Sequence, residues 1–498
     1  MTSTRKEQRA DARNLALDTL LKIEKDKSPS HLVMRDVLRA YPDLEQREER
    51  FYRKLVNGVL EWQIRLDYII DQFSKTKTRK MKPVIRGTMR IAVYQICFLD
   101  AVPDSAAVNE AVRIADQRGF HNLRGFVNGV LRAIVRGKDK IHYPDRNTEP
   151  VRYISIMYSV PEYLAGRWYS KYGPEKTERI CSSFQKQAPL TVRFRDEMPE
   201  MEVTESRQLS QKAKCRTSLQ AAGVTVAQAP YIHYAGYLSG VVDLEKIPAF
   251  TEGGITVQDV SSMLAVEAAG IQKGDLVLDL AAAPGGKSML AADLLHRVCG
   301  GAAGIAKAGT ADIAKAGAAD AVEVHSAQEG KVIARDVSLQ KAELIRENID
   351  RLRITNIEVQ VWDGTVFDPD MEAKADVVIA DLPCSGLGVI GRKPDIRYEA
   401  SEEKTESLVA LQRRILKNAV RYVKPGGTLL FSTCTFDPRE NEENAAWILE
   451  HSDLRPDPVA PFLPAELAEE AGSCNYLQLY PGIHACDGFF IARFRKGD

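Results

Sequence analysis

Cys384, in Asp381-Leu382-Pro383-Cys384-Ser385-Gly386, and Cys434, in Ser432-Thr433-Cys434-Thr435, each stand just beyond a short apolar run that reads as a buried strand. A thiolate is the side chain best suited to add to an unreactive pyrimidine ring. Upstream, Asp279-Leu280-Ala281-Ala282-Ala283-Pro284-Gly285-Gly286-Lys287-Ser288 reads as a strand, a loop of small residues and a helix start. Such a loop lets backbone approach a cofactor at the carboxyl edge of a sheet. Together the sites point to methylation of a base. A free cysteine is usually inert packing, but two at neighbouring strand ends argue for chemistry, and they lack the His and Asn spacing of a cysteine protease.

The glycine loop is not a phosphate-binding P-loop. Gly286-Lys287-Ser288 supplies the last letters, but Ala281 stands where that motif needs its leading glycine. No Gly-x-Gly-x-x-Gly occurs at this strand end either. Asp336 closes the second strand and suits ribose hydroxyls, although it follows the loop by far more than the usual ~20 residues. Asp363-Gly364 ends the third strand, where a carboxylate suits an adenine amino group. Each of these acids also has a bland reading as a solvated loop residue; acids closing consecutive strands beside a glycine loop favour a nucleoside cofactor.

The elements that must hold these residues are short apolar runs at 276–280, 332–334, 359–361, 377–380 and 429–431, separated by helical stretches. That alternation predicts a doubly wound α/β sheet with parallel strands. Asp381 and Cys384 then close the fourth strand and Cys434 the fifth, facing one crevice. Lys424-Pro425-Gly426-Gly427 reads as a turn into the fifth strand, and 487–494 as a terminal strand. The Ala/Gly-rich stretch 299–330, with a partial internal repeat, reads as an insertion.

The remainder of the chain differs in character. At 498 residues several domains are expected, and 44% apolar with 27% charged residues is the composition of a globular protein. The formal net charge of zero conceals an asymmetry: residues 1–140 hold 28 Lys+Arg and 18 Asp+Glu, against 40 and 50 beyond. A basic module for a polyanion, joined to something else, is the implication. Apolar spacing from about residue 4 to 140 is helical throughout, with Ser105 as a candidate cap and Phe126, Val127, Val130, Leu131 and Ile134 forming one face. Lys75, Lys77, Arg79, Lys80, Lys82, Arg86 and Arg90 form a basic run without an acid, which is either a solvated stretch or a phosphate contact.

Residues 142–150 look like a linker, after which a helix from Pro161 and a strand at 189–194 suggest a small α+β region. The expected domains are therefore an all-α bundle at 1–145, a small α+β domain at 146–240 and a Rossmann-like α/β domain at 241–498. Eight cysteines show no Cys-x-x-Cys and no Cys/His cluster at ligand spacing, so no metal is expected. The charged N-terminus and the lack of any stretch near ~20 apolar residues argue against a membrane span and for a reducing cytoplasmic setting.

On these motifs residues from about 253 onward resemble the RNA 5-methylcytosine methyltransferase family. Gln258-Asp259-Val260-Ser261-Ser262, Pro284-Gly285-Gly286-Lys287, the two cysteine motifs, Lys393-Pro394-Asp395-Ile396-Arg397 and Glu440-Asn441-Glu442-Glu443-Asn444 carry the likeness in order. The helical region resembles the NusB RNA-binding fold through Asn109-Glu110-Ala111-Val112 and Phe126-Val127-Asn128-Gly129-Val130-Leu131-Arg132. Bacterial members that fuse the two act on small-subunit ribosomal RNA. The resemblance implies S-adenosyl-L-methionine (AdoMet) as cofactor, held by Ala281, Ala282, Ala283, Pro284, Gly285, Gly286, Lys287, Asp336, Asp363 and Asp381. It implies Cys434 as nucleophile at cytosine carbon 6, Cys384 in proton removal and release, Asp381 at the ring edge and Lys287 in positioning. A small α+β domain of RRM type and a monomeric state are also expected. Ala281 stands where the family usually has a cysteine. Two rivals stay open: an amino-nitrogen methyltransferase needing only the Asp381-Leu382-Pro383 loop, and a non-catalytic RNA-binding factor built on the helical half.

Overall fold

The computed structural model describes residues 11–186, 188–195, 214–241, 243–295 and 330–498. The insertion expected at 299–330 therefore lies, apart from Gly330, outside the described residues. Two compact units are present: Met1–Gln187 with Ile390–Glu399, and Ala188–Val389 with Ala400–Asp498.

The first unit is helical, with α1 Ala12–Asp26, α2 Ser30–Ala40, α3 Gln46–Phe73, α4 Pro83–Phe98, α5 Asp104–Gln117, α6 Arg124–Arg136, α7 Pro150–Tyr158 and α8 Glu162–Ser183. Pro83, whose missing N–H costs nothing in a first turn, opens α4. That helix buries almost every residue from Ile85 to Ile96, so it forms the middle of the bundle. The face expected on α6 is observed: Val127, Val130, Leu131 and Ile134 are buried. Ser105 does not cap α5. Pro103 occupies the cap position and Asp104 begins the helix, leaving Ser105 inside the first turn.

Ile390–Glu399 belongs to this helical unit although it follows the Cys384 motif in sequence. Asp395 and Arg397 serve helix ends, and Tyr398 reaches the middle of α3. Helix α2 starts after Pro29, which offers no side-chain cap. The Asp395 carboxylate fills that role, accepting the Ser30 backbone N–H at 2.9 Å and its hydroxyl at 2.8 Å. Arg397, wholly buried, donates through Nη1 to the carbonyls of Tyr158 and Ser159, both at 3.1 Å, and Tyr398 donates to the Leu60 carbonyl at 2.7 Å.

In the second unit β1 Leu190–Phe194, β2 Thr225–Gln228, β3 Ala235–Ser239 and β4 Ile255–Val257 form an antiparallel sheet of order β2-β3-β1-β4. The larger sheet contains β5 Leu276–Asp279, β6 Lys331–Asp336, β7 Ile357–Val361, β8 Ala375–Asp381, β9 Val423–Thr433, β10 Leu454–Pro456, β11 Tyr476–Leu479 and β12 Phe489–Lys496. Its path is β10-β12-β9-β8-β5-β6-β7, with β11 also paired to β12. Strands β5 to β9 are parallel, as the alternation predicts, and the fold is α/β. The sheet is nevertheless mixed, because β12 lies antiparallel to β9, β10 and β11. Residues 424–427 are not a turn before β9 but a bulged stretch within it, with Gly426 at φ +68° and a register shift opposite Ala375 and Val377. Helices α9 Val260–Ala268, α10 Gly286–Leu295, α11 Leu339–Leu352, α12 Glu402–Tyr422 and α13 Glu442–Glu450 complete the elements used below. Buried apolar side chains line both sides of the parallel strands, so their carboxyl ends are where polar residues emerge. Among the described residues no helix is long and apolar enough to cross a membrane.

Replacing Asp395 by alanine removes the cap of α2 and leaves the Ser30 N–H unpaired. A loss of about 1–2 kcal/mol is expected, read as a lower unfolding midpoint in denaturant, whereas Asp395→Asn should retain part of it.

Candidate active site

Strand register sets the site. Parallel pairing places Asp381 of β8 opposite Ser432 of β9, and the Leu382 N–H continues the ladder to the Ser432 carbonyl at 3.0 Å. Cys384 and Cys434 follow that pair by three and two residues. Their sulfurs consequently meet 3.3 Å apart, both thiols free and half-buried. The loops are locked from below by Gly388, whose N–H donates to the Cys434 carbonyl at 3.0 Å. A Cβ at Gly388 would sit 2.0 Å from the Gly488 carbonyl oxygen, so only glycine fits there.

Asp381 accepts from Lys287 Nζ at 2.6 Å on one oxygen and from Ser432 Oγ at 2.8 Å on the other. Lys287, in the first turn of α10, places its ammonium 5.1 Å from the Phe489 ring centroid. Burial pulls the Lys287 pKa down, but the Asp381 carboxylate more than offsets this and holds the ammonium above its ordinary range. The hydrogen bond with Cys434, then burial, push the Cys384 thiol well above its ordinary range. Cys384 thus keeps its proton.

The glycine loop leaves β5 through Asp279, which is buried and accepts from Ser288 Oγ at 2.6 Å. Burial pushes this carboxyl up to about 6. Ala281, Ala282, Ala283, Pro284, Gly285 and Gly286 run from β5 to α10, with Gly285 at φ +103°, where a side chain would be strained. Asp336, at the end of β6, braces this loop by accepting the Ala283 N–H at 3.0 Å and also pairs with Lys341 at 3.1 Å. Asp363, beyond β7, takes both Thr365 bonds on Oδ1, at 2.9 and 2.8 Å, and Oδ2 makes no hydrogen bond to a described residue. The Thr365 N–H holds its carboxyl below the usual range, so it is an exposed anion with one open oxygen. Val337 and Val366, 56% and 54% exposed, add apolar surface beside the two acids. Asp336 is buried, with its other oxygen taking the Val337 N–H at 2.7 Å, so the open oxygen of Asp363 beside uncovered apolar surface is the feature that fits the nucleoside of AdoMet.

Spacing did not reveal the brace behind the thiols. Glu440, buried, accepts the Ser385 N–H at 2.9 Å, the Ser385 hydroxyl and Gln412 Nε2 at 2.9 Å. Asn441 donates to the Thr435 carbonyl at 3.0 Å and to Gln478 Oε1 at 2.7 Å, and accepts from Thr433. Asn444 reaches Gln412 at 2.8 Å. Glu440 and Asn441 thus hold the Cys384 and Cys434 loops respectively. The available signal was the crowding of acids and amides at 440–444, running into the first turn of α13 and too polar for an ordinary core.

Comparison with known proteins gives a consistent neighbourhood. A family model for "16S rRNA methyltransferase RsmB/F" matches residues 314–495, and a model for the NusB family matches residues 10–136. A probable ribosomal RNA small subunit methyltransferase B of Bacillus subtilis is 32% identical over 98% of this chain and 99% of its own. A probable methyltransferase B of Synechocystis is 29% identical over 97% and 99%, and a methyltransferase B of Vibrio cholerae is 27% identical over 92% of each. Among solved structures, PH0851 aligns with TM-score 0.71 at 23% identity over 98% of this chain and 99% of its own, a likeness of fold.

Two outcomes test this geometry. Glu440→Ala leaves buried donors on Ser385 and Gln412 unpaired, which should cost about 2–4 kcal/mol in denaturant melts; Glu440→Gln should cost less. Asp279, raised from 3.8 to about 6, is favoured as the neutral acid, so it opposes folding as pH rises from 4 through 6. Asp279→Asn should therefore gain about 3 kcal/mol relative to wild type between pH 4 and pH 8, seen as a pH-dependent difference in unfolding free energy.

Proposed function

The chain belongs to the RsmB/F family of 16S ribosomal RNA methyltransferases, and on that premise we propose that it methylates carbon 5 of a cytosine in 16S ribosomal RNA through a covalent adduct with Cys434. It is an AdoMet-dependent ribosomal RNA methyltransferase. The observation that carries the finer reading is the pair of free thiols 3.3 Å apart, beside the Lys287–Asp381 pair. An amino-nitrogen methyltransferase would need neither sulfur.

Carbon 5 of cytosine is a weak nucleophile. In the proposed reaction the Cys434 thiolate adds to carbon 6, forming an S–C6 bond and shifting the C5–C6 π pair toward carbon 5, while the ring nitrogen takes a proton from the Lys287–Asp381 pair. AdoMet, when bound, supplies a sulfonium-activated methyl group, which carbon 5 takes as the sulfonium sulfur keeps the bonding pair. Cys384, having given its own proton to solvent, removes the carbon 5 proton; the electrons of that C–H bond re-form the C5–C6 double bond and expel the Cys434 thiolate, and the ring nitrogen returns its proton to the Lys287–Asp381 pair. The step needs no metal, since the methyl is already electrophilic. Asp336 and Asp363 would hold the nucleoside part of AdoMet, and the backbone of residues 281–286 would line its approach. A paired base is out of reach of this crevice, so the cytosine must be unpaired or flipped. The helical unit and the small sheet would contact phosphates and RNA shape. A monomer acting on ribosomal RNA in the cytoplasm completes the proposal.

Cys434→Ala should abolish methyl transfer and adduct formation together; activity near wild type would instead favour the amino-nitrogen reading. Cys384→Ala should leave protein covalently attached to RNA in the presence of AdoMet, visible as a retarded band on denaturing gels, because addition survives and release does not. Bisulfite mapping of 16S ribosomal RNA from cells with and without the protein should lose a single 5-methylcytosine signal.

A further inference from the structure

The helical unit contains a cavity of about 430 Å³ between α1, α3 and α4, closed on one side by Asp395, Tyr398 and Glu399. Its volume is in the range that holds a small ligand or one nucleotide. Leu20, Leu21, Ile23, Val59 and Leu60 form an apolar wall. Two of the lining cations and three of the lining acids already have partners. Arg90 makes a bidentate pair with Asp67 at 2.7 and 2.6 Å, Arg86 pairs with Glu24, and Asp395 caps α2.

Glu24, Asp67, Asp395 and Glu399 match the four lining cations in number, but the charged groups of the lining left without a partner among the described residues are cationic. Lys27 and Arg79, both exposed, line the cavity, and their side chains have no hydrogen-bond or ion-pair partner among the described residues. Gln63, half-buried, also lines it, and its amide is likewise without a partner among the described residues. Beyond Arg79, the exposed Lys75, Lys80 and Lys82 are unpaired among the described residues too, so the free charge continues along the chain outside the cavity. Of the seven cations in the basic run, Arg86 and Arg90 are held by internal acids and Lys77 donates to the Asp71 carbonyl. Four are left for something else.

An apolar wall suits a base, an unpaired amide suits its polar edge, and two cations suit a phosphate. The further lysines outside suit the next phosphates of a polymer rather than a free nucleotide. We propose that this cavity takes one unpaired nucleotide of the RNA substrate, with its phosphate on Lys27 and Arg79, as a second RNA-binding site apart from the thiol crevice. The proposal deepens the reading of the chain as a 16S ribosomal RNA methyltransferase and rests on it for the identity of the polymer.

The test uses full-length protein, transcribed unmodified 16S ribosomal RNA and excess tRNA as competitor. The double variant Lys27→Glu/Arg79→Glu should weaken binding by about 10–100-fold and make the slope of log affinity against log salt shallower by about 1–2. Gln63→Trp fills the cavity without changing charge, and should weaken binding by about 10-fold with the salt slope unchanged. Leu21→Trp serves the same purpose should Gln63→Trp fold poorly by circular dichroism. Both kinds of variant should raise KM for RNA, leave kcat alone and bind AdoMet as wild type does. If the charge variant weakens binding but the filled cavities do not, the cations are surface contacts only and the proposal is overturned. It is equally overturned if all variants bind like wild type while wild type methylates the RNA. Wild-type protein that neither binds nor methylates 16S ribosomal RNA would sink the functional reading itself, and the nucleotide site with it.

Discussion

The parallel pairing of β8 with β9 is the constraint on which the candidate site depends. Asp381 and Ser432 face each other across that pair, and Ser432 Oγ ties to the Asp381 carboxylate at 2.8 Å. A slip of one residue would turn every side chain of β9 to the opposite face of the sheet. Cys434 would then leave Cys384. Val378, Ile379, Ala380, Leu429, Leu430 and Phe431 are buried on both faces, so a slip would not expose apolar surface, and the register rests on the shapes packed against each face and on the Ser432–Asp381 bond. The chemistry therefore inherits its precision from packing that never touches a substrate.

Packing alone would leave the two loops loose beyond the strand ends. Glu440 and Asn441 supply what the strands cannot, each accepting or donating to backbone and side-chain groups of one cysteine loop. Burying a carboxylate and an amide is costly unless nearly every polar atom finds a partner. Gln412, Gln478 and Asn444 complete that network. The arrangement follows the general rule that reacting groups need a supporting shell whose own rotamers are locked.

Much of this was legible in the residue order. An alternation of apolar runs and helical stretches sufficed to place Asp279, Asp336, Asp381, Cys384 and Cys434 at the carboxyl ends of strands, because parallel α/β topology leaves few choices. Three features were not legible, each for a long-range reason. Residues 390–399 lie within the α/β half of the sequence yet belong to the helical unit, since Asp395 and Arg397 find partners some 240 to 365 positions away. The antiparallel β12 depends on which edge of the sheet its strand joins, which local pattern does not encode. The basic run looked uniform, but acids on α1 and α3 consume Arg86 and Arg90. Sequence spacing shows which residues share an element, not which charges are already answered.

The thiols illustrate why the two cysteines of the proposed mechanism must lie this close. Two thiolates 3.3 Å apart would repel by about 5 kcal/mol at an effective dielectric near 20, so the pair holds one proton firmly. That proton stays on Cys384, whose strongest elevation comes from its bond to Cys434. Once Cys434 is committed to a carbon–sulfur bond it is neither an anion nor a good hydrogen-bond acceptor. The largest cause of the elevation would then disappear, leaving burial and the nearby Glu440 and Asp381, so Cys384 would become easier to ionise after addition. In the proposed mechanism, a base masked until its neighbour has reacted would be unable to strip a proton early, and the electrostatics of the pair itself would set the order of addition and elimination.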